Sequence, residues 1–148
     1  MGKKKVVDAR FAKSKEYRAV INQIADEAKC PFCPDNFRYH KKPILKRLGG
    51  WFITPSTWPY KNSKHHFLII GKSHKEKLTE LTQTDWKSIT TLASFVVKKY
   101  KLAGGAIAMR FGETAYTGAT VCHLHMHLIV PKLKSGKRIA KTVTFPIG

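Results

Sequence analysis

In the stretch formed by residues 122–131, histidines occupy alternate positions and apolar residues separate them. This alternation is typical of a β-strand, because successive side chains of a strand point to opposite faces. The pattern predicts that His123, His125 and His127 share one face, with neighbouring imidazoles about 6–7 Å apart, while the other face packs into a core. An ordinary half-buried strand is the alternative interpretation, but histidine is not a preferred strand residue at this density.

Two other segments repeat apolar residues at helical spacing. The first follows Ser14, which can cap a helix, and should end near Lys29, before Pro31. The second begins at the Thr82 cap, with Asp85 as a weaker substitute for the glutamate of a capping box. We expect the apolar stripe of the second helix to belong to the core and not to a cofactor site.

Shorter apolar runs predict the remaining strands. Gly49-Gly50 suits the positive φ angles of a tight hairpin turn between the first two. The loop at residues 55–63 is rich in proline and polar residues and is expected to face a substrate. The predicted strands are residues 44–48, 51–54, 66–70 and 106–111, with an additional edge strand at residues 142–145.

The chain has 148 residues, a length that suits one domain with a sizeable core. We expect residues 1–13 to form a loose basic leader and residues 14–148 to form the single domain. No apolar run approaches the roughly 18 residues of a membrane helix, so no membrane association is expected. Three cysteines without a secretory signal favour a cytoplasmic setting over a disulfide framework.

The charge of the chain is unusual, since 28 Lys and Arg stand against 9 Asp and Glu, a formal net charge of +19. Such a field attracts polyanions, which favours a nucleotide or nucleic acid as partner. A solvated lysine-rich surface is the alternative interpretation. No carboxylate side chain occurs from Cys122 to the end, so a phosphate that reaches the histidines meets little local repulsion.

A second candidate site lies at Cys30 and Cys33, which two residues separate and which adjacent prolines hold in an open turn. Two thiolates at this spacing form half of a tetrahedral zinc site. A redox pair is the alternative, but the βαβ pattern expected around such a motif is not recognisable. The histidines further along the chain favour zinc.

These motifs resemble a known family. Residues 123–129 are similar to the signature of the histidine-triad (HIT) superfamily, residues 118–121 to its Gly-Gln-Ser/Thr-Val, and residues 66–74 to its His-x-Leu-Val-Ile-Pro-Lys-x-His segment. The resemblance covers about residues 30–131, with order and spacing preserved. It implies an α+β class with a HIT-like fold, an antiparallel sheet of about five strands with two main helices packed on it, usually paired into a homodimer.

The resemblance also implies a complete metal site. In the zinc-bearing branches, a Cys-x-x-Cys pair, a histidine after the Ile-Pro-Lys-like strand and the first triad histidine are the ligands. Four protein ligands leave no open position for water, so the zinc is expected to be structural. By position, the ligands in this chain are Cys30, Cys33, His74 and His123.

The middle histidine, His125, is the expected nucleophile. A neutral imidazole can attack phosphorus and form a covalent intermediate, provided that its other nitrogen keeps a hydrogen on an acceptor. We expect a backbone carbonyl to be this acceptor, as the resemblance also implies. His127 should contact the transferred phosphate or the leaving group, and His66 should face the same pocket.

The chain departs from the family pattern around the substrate. Ala119 replaces a glutamine before Thr120, which is still expected to contact the substrate. The family's Asn or Gln before the triad falls on Gly112 without gaps, or on Arg110 if the loop carries two extra residues; Arg110 would then bring a bidentate phosphate fork. The acidic residue that often holds the ribose is missing, and the nearest polar candidates are Thr54, Ser56 and Asn62.

We therefore expect an enzyme, a nucleotidyl hydrolase or transferase that attacks the α-phosphate of a nucleotide conjugate or dinucleoside polyphosphate through His125. Two alternatives remain open: a repair enzyme similar to aprataxin that removes adenylate from nucleic-acid ends, and a zinc-stabilised nucleotide-binding module without turnover. The expected partners are a nucleotide or dinucleotide substrate, a second copy of the chain and, because of the charge, nucleic acid.

Overall fold

The computed structural model describes residues 5–148 of the chain. Within this range the strands are β1 (Lys46–Leu48), β2 (Trp51–Pro55), β3 (Ser63–Gly71), β4 (Ala106–Met109) and β5 (His125–Pro131). They form one antiparallel sheet in the order β1-β2-β3-β5-β4. The predicted α+β class with an antiparallel sheet of about five strands is confirmed.

The helices are α1 (Lys15–Glu27), α2 (Gln83–Lys99) and the short α3 (Thr114–Thr117), with 3-10 turns at Ala9–Phe11, Pro34–Tyr39 and Leu78–Glu80. The predicted caps of both long helices are confirmed. The Ser14 side chain accepts a hydrogen bond from the backbone N–H of Tyr17 (3.0 Å), and Thr82 and Asp85 form a reciprocal capping box. Among the described residues, no helix is both long and apolar enough to cross a membrane.

The register between β3 and β5 determines which side chains lie on the same face of the sheet as His125 and His127, called the histidine face below. His127 lies opposite Leu68 and His125 lies opposite Ile70, so the alternating residues of both strands point the other way. Those alternating residues pack under α2, which closes the opposite face. This core consists of Trp51, Ile53, Phe67, Ile69, Ile89, Leu92, Val96, Met126 and Leu128.

The histidine face is covered by the N-terminal third of the chain. Ile21 and Ile24 of α1 are buried there together with Val6 and Val7, and Val7 pairs with Val121 in an isolated antiparallel bridge. Val6 and Val7 are each only 5% exposed. The leader was expected to be loose, and this is wrong for residues 6–12, because apolar side chains among its lysines are buried against the sheet. Residues 1–4 lie outside the described range, and the domain boundary after residue 13 stays a prediction.

Two other expectations need correction. β5 begins at His125, so His123 precedes the strand in a bend and the three imidazoles do not form one regular row. Residues 142–145 form no strand. The carbonyls of Thr142 and Pro146 accept hydrogen bonds from the side chains of Asn62 and Arg110 and not from a neighbouring strand. The segment 142–148, called the C-terminal tail below, lies against the histidine face.

Candidate active site and metal cluster

The hydrogen bonds around His125 determine which of its nitrogens can react. Its Nδ1 lies 2.7 Å from the backbone carbonyl oxygen of His123, which confirms the predicted carbonyl acceptor. A carbonyl oxygen only accepts hydrogen bonds, so Nδ1 carries the hydrogen and Nε2 keeps its lone pair in the neutral ring. His125 therefore offers the pocket a nucleophilic nitrogen.

His127 is held in the opposite tautomer by a chain of hydrogen bonds. The backbone N–H of Tyr60 donates to Nδ1 of His66 (3.1 Å), so the hydrogen of His66 is on Nε2 and is donated to Nδ1 of His127 (2.8 Å). The hydrogen of His127 must then be on Nε2, which is buried and has no protein partner within residues 5–148. The pocket thus contains a lone pair on His125 and an unpaired N–H donor on His127, with ring centres 4.8 Å apart.

Burial keeps these imidazoles neutral at physiological pH. It lowers the pKa of His125 to about 4, and the positive charge of Arg110 acts in the same direction. Burial likewise lowers the pKa of His66 to about 4, with a further contribution from the neighbouring His125. Burial also holds the pKa of His127 well below its usual range. The neutral tautomers are therefore the forms present at pH 7.

The four predicted metal ligands come together beside the pocket, with all four ligand atoms within 4.8 Å of one another. Nδ1 of His123 lies 3.4 Å from Sγ of Cys30 and 3.7 Å from Sγ of Cys33, and Nδ1 of His74 lies 3.4 Å from Sγ of Cys33. Tetrahedral zinc, with bonds of about 2.3 Å to sulfur and about 2.1 Å to nitrogen, separates these atoms by about 3.6 Å. The donor set fits zinc.

The surroundings of the cluster also suit a cation. Nε2–H of His123 donates to the carbonyl oxygen of Gly71 (2.6 Å), so its Nδ1 is the free donor atom that faces the thiols. Burial raises the pKa of Cys30 to about 12, so this thiol becomes a thiolate only when a positive ion compensates the charge. The donor atoms of Cys30 and His123, two of the four ligands in the cluster, are therefore arranged to bind a metal ion.

A cavity of about 580 Å³ opens in front of His125 and His127. Apolar side chains in its wall come from α1 and Phe32, and the Phe32 ring lies 4.9 Å from the ring of His125. Polar groups come from the loop before β3 and the C-terminal tail. None of the described residues that line the cavity carries a carboxylate, and its cations are Lys13, Lys61 and Arg110.

The predicted substrate-binding residues line this cavity but also contact other parts of the protein. The Arg110 guanidinium donates to the Tyr60 hydroxyl (3.1 Å) and to the Pro146 carbonyl (3.0 Å from Nε). The Asn62 amide donates to Thr142 O (2.9 Å), and the Thr120 hydroxyl lies 2.6 Å from the hydroxyl of Tyr17. Of the ribose candidates, Ser56 and Asn62 line the cavity. Thr54 is fully buried outside the cavity lining and donates to Pro43 O (2.8 Å).

Sequence reasoning missed Tyr60 and Phe145. The Tyr60 ring stacks on His127 at 5.7 Å between ring centres, its N–H orients His66, and its hydroxyl accepts from Arg110. Phe145 of the C-terminal tail lies 5.1 Å from His127, and the Arg110 guanidinium covers its ring at 3.8 Å. Tyr60 lies in the loop that was expected to face a substrate, so its position was detectable. Nothing in the sequence pattern indicates where the tail lies.

Comparisons with known proteins agree with this arrangement. Residues 61–133 match the family model of the HIT domain. No curated protein matches the chain. Among solved structures, the fold is similar to a histidine triad nucleotide-binding protein from Candida albicans, with a TM-score of 0.59 and 22% identity, covering 81% of this chain and 85% of that one.

Two further structures share the fold. A Zn-bound histidine triad family protein from Mycobacterium smegmatis has a TM-score of 0.55 and 20% identity, covering 76% of this chain and 80% of that one. A diadenosine triphosphate hydrolase from Plasmodium falciparum, solved with Cyclomarin A, has a TM-score of 0.51 and 19% identity, covering 67% and 65%. At these identities the likeness concerns the fold.

We expect one zinc ion per chain by elemental analysis of the purified protein. Cys30→Ser should lose the zinc and lower the Tm by roughly 10 °C, because several kcal/mol of metal binding stabilise the fold and each corresponds to about 2–4 °C at this size. Cys122→Ser, outside the cluster, is the matched control and should keep the zinc. A native chain that contains no zinc and has an unchanged Tm after Cys30→Ser would contradict the metal site.

The buried histidines should also make the fold acid-sensitive. His66, His125 and His127 have folded pKa values below their ordinary value of 6.5, so below pH 6.5 the unfolded chain binds protons that the folded chain excludes. The free energy of unfolding should fall as the pH drops from 6.5 towards 4, by up to about 1.4 kcal/mol per pH unit for each histidine.

Urea unfolding at pH 7, 6 and 5 measures this effect. His125→Gln removes one of the three groups while keeping every carboxylate, so its stability should depend less steeply on pH than that of the wild type. Parallel pH dependences of the two proteins would show that His125 does not titrate as described.

Proposed function

Because the chain carries a HIT domain, we propose that it is a nucleotidyl hydrolase or transferase that acts at the α-phosphate of a nucleotide conjugate or dinucleoside polyphosphate. The observation that carries this proposal is the pair of opposite tautomers, a lone pair on His125 Nε2 beside an unpaired N–H on His127. A nucleophile and a hydrogen-bond donor side by side are what displacement at phosphorus requires.

In the proposed first step, Nε2 of His125 attacks the α-phosphorus, a P–N bond forms, and the bond from phosphorus to the leaving group breaks. The ring becomes positively charged, and its Nδ1–H stays on the His123 carbonyl, which stabilises this charge. In the second step, water or phosphate attacks the phosphorus, the P–N bond breaks and its electron pair returns to Nε2; when water attacks, it releases one proton to the solvent.

His127 is proposed to contact the leaving atom. Its Nε2–H can donate a hydrogen bond. The hydrogen bonds that hold His127 run through His66 to the backbone N–H of Tyr60, and a backbone amide does not release its proton, so a proton lost by His127 would not be replaced. The site therefore favours leaving groups that depart as stable anions, such as a phosphate of a phosphoanhydride, over amines that must gain a proton. Arg110 and Lys13 balance the extra charge of such leaving groups.

The role proposed for zinc is structural. Cys30, Cys33, His74 and His123 would fill all four tetrahedral positions, so the ion would hold the backbone of His123, and with it the acceptor of His125, without contact to the substrate. The apolar side chains of Phe32 and α1 in the cavity wall are proposed to contact the nucleobase, since an apolar wall suits a flat aromatic ring.

A chemical quench during turnover tests the nucleophile. Wild-type protein should carry one labile nucleotidyl group, and His125→Gln should carry none and lose about 10⁴-fold or more in kcat/KM. His127→Ala should lose about 10²–10⁴-fold, with partial recovery in His127→Gln, whose amide can donate. His65→Gln, which changes a histidine on the opposite face, is the control and should be fully active. Substantial turnover by His125→Gln would refute the proposed nucleophile.

We also propose that the chain pairs into a homodimer through β4. Within the described chain this outer strand bonds to β5 alone, and its Ile107 is 55% exposed. An outer strand with a free edge and an exposed apolar side chain can pair with a second copy.

Sedimentation velocity should give twice the mass of one chain for the wild type, and the mass of one chain for Ile107→Lys. Leu133→Lys, at a comparably exposed apolar residue away from the edge, should stay dimeric. A monomeric wild type would contradict the proposed homodimer.

A further inference from the structure

After β5, the backbone of residues 132–141 turns back on itself. Leu133 pairs with Ala140 in an antiparallel bridge, and Gly136 supplies a positive φ angle of 66° in the turn. Two further backbone hydrogen bonds of 2.8 Å join the arms, from Lys134 N to Ile139 O and from Lys141 N to Lys132 O. We call residues 132–141 the basic hairpin.

The basic hairpin concentrates cationic side chains without carboxylate partners. All five of its cations are exposed, and no acidic residue occurs in the hairpin. Within residues 5–148, none of them takes part in an ion pair. An external anion can therefore bind them without displacing an internal partner. The five cations are Lys132, Lys134, Lys137, Arg138 and Lys141.

The hairpin is attached to the wall of the pocket through Asn62. Asn62 holds both of its ends, since its carbonyl accepts from Lys132 N–H (2.8 Å) and its side-chain amide donates to Thr142 O (2.9 Å). Lys61 and Thr142 line the pocket itself. Along β5, the hairpin begins about 16 Å beyond His127, five residues at about 3.3 Å each. A polyanion whose end occupied the pocket could therefore extend to Lys61 and the hairpin.

We propose that the basic hairpin is a docking surface for a nucleic-acid strand whose end occupies the pocket. This inference rests on the proposed function for the bond that is broken, whereas binding of the strand to the hairpin does not depend on it. Each arm of five residues is about 16 Å long, which is enough to lie along several phosphates of a strand. A free nucleotide conjugate ends near the pocket, so the hairpin adds nothing to its binding affinity. The hairpin therefore suits a longer polyanion.

An acidic membrane surface is the other polyanion to consider, and the register of the hairpin disfavours it. Residues opposite each other on antiparallel arms share a face, so Leu133 lies with Ala140, and Ile139 lies with Lys134. The two exposed apolar side chains, Leu133 (61%) and Ile139 (59%), are therefore on different faces. Membrane-surface segments bury one continuous apolar face, which this hairpin lacks.

The binding test uses a fluorescein-labelled strand of twelve thymidine nucleotides, titrated by fluorescence anisotropy at several KCl concentrations. Each phosphate contact contributes about 0.7 to the slope of log affinity against log salt for a single strand. The triple variant K134E/K137E/R138E should reduce this slope by about 2 and weaken binding about tenfold or more at low salt.

The matched control is the triple variant K87E/K98E/K101E, which removes the same net charge from exposed positions on and after α2. It should change the affinity by less than about threefold, since distant charges act only through the screened field. Equal losses in the two variants would overturn the proposal. A hairpin-dependent affinity for vesicles with anionic lipid, without one for the strand, would also overturn it.

A turnover test separates this inference from the proposed function. The substrate is a 12-mer whose 5′ end carries a nucleotide through a phosphoanhydride. The P–N bond to His125 forms as the P–O bond to the 12-mer phosphate breaks, and water then releases the nucleoside monophosphate.

K134E/K137E/R138E should lower kcat/KM for this substrate about tenfold and leave it within twofold for a dinucleotide with the same anhydride. Equal loss on both substrates would overturn the hairpin proposal. No wild-type turnover of either would refute the proposed function, while the anisotropy result would still decide the hairpin.

Discussion

The candidate site depends on the position of one residue, His123, whose two ring nitrogens and carbonyl oxygen have defined partners. Its Nδ1 faces the thiols of Cys30 and Cys33, its Nε2–H donates to Gly71 O, and its carbonyl accepts from Nδ1 of His125. The first contact ties it to the N-terminal third, the second to the end of β3, and the third to His125. A shift of His123 would therefore change the tautomer of His125 as well as the metal cluster.

A second constraint is electrostatic. The cavity is lined by cations and by no described carboxylate, and it contains the buried imidazoles of His66 and His127 beside the half-buried His125. Burial and the charge of Arg110 both favour the neutral form of the His125 imidazole over the charged form. The same cations that suppress protonation can attract a phosphate. A strongly basic chain can therefore keep a neutral histidine beside an anion near neutral pH.

The pocket is completed by the N-terminal third of the described chain and by the C-terminal tail. The bridge between Val7 and Val121 places the start of the chain beside the glycine-containing loop before β5, and the tail brings Phe145 against His127. Arg110 connects these parts, because it contacts both Tyr60 and Pro146. The cavity is therefore lined jointly by the N-terminal third, the loop before β3 and the tail, and Tyr17 of α1 stacks on Trp58 of that loop (5.3 Å between ring centres).

The sequence alone determined what depends on local periodicity and side-chain chemistry. The caps at Ser14 and Thr82, the alternation around His125 and the Cys30-x-x-Cys33 spacing are encoded within a few residues, and the structure contains all of them. The bend at His123, the tautomer of His127, the buried leader and the course of the tail were decided by tertiary contacts. Each of these depends on a hydrogen bond or an apolar contact between segments distant in sequence, such as the 61 residues that separate His66 from His127. Such contacts leave no periodic signal in the chain, because their free energy arises only when the sheet brings the partners together.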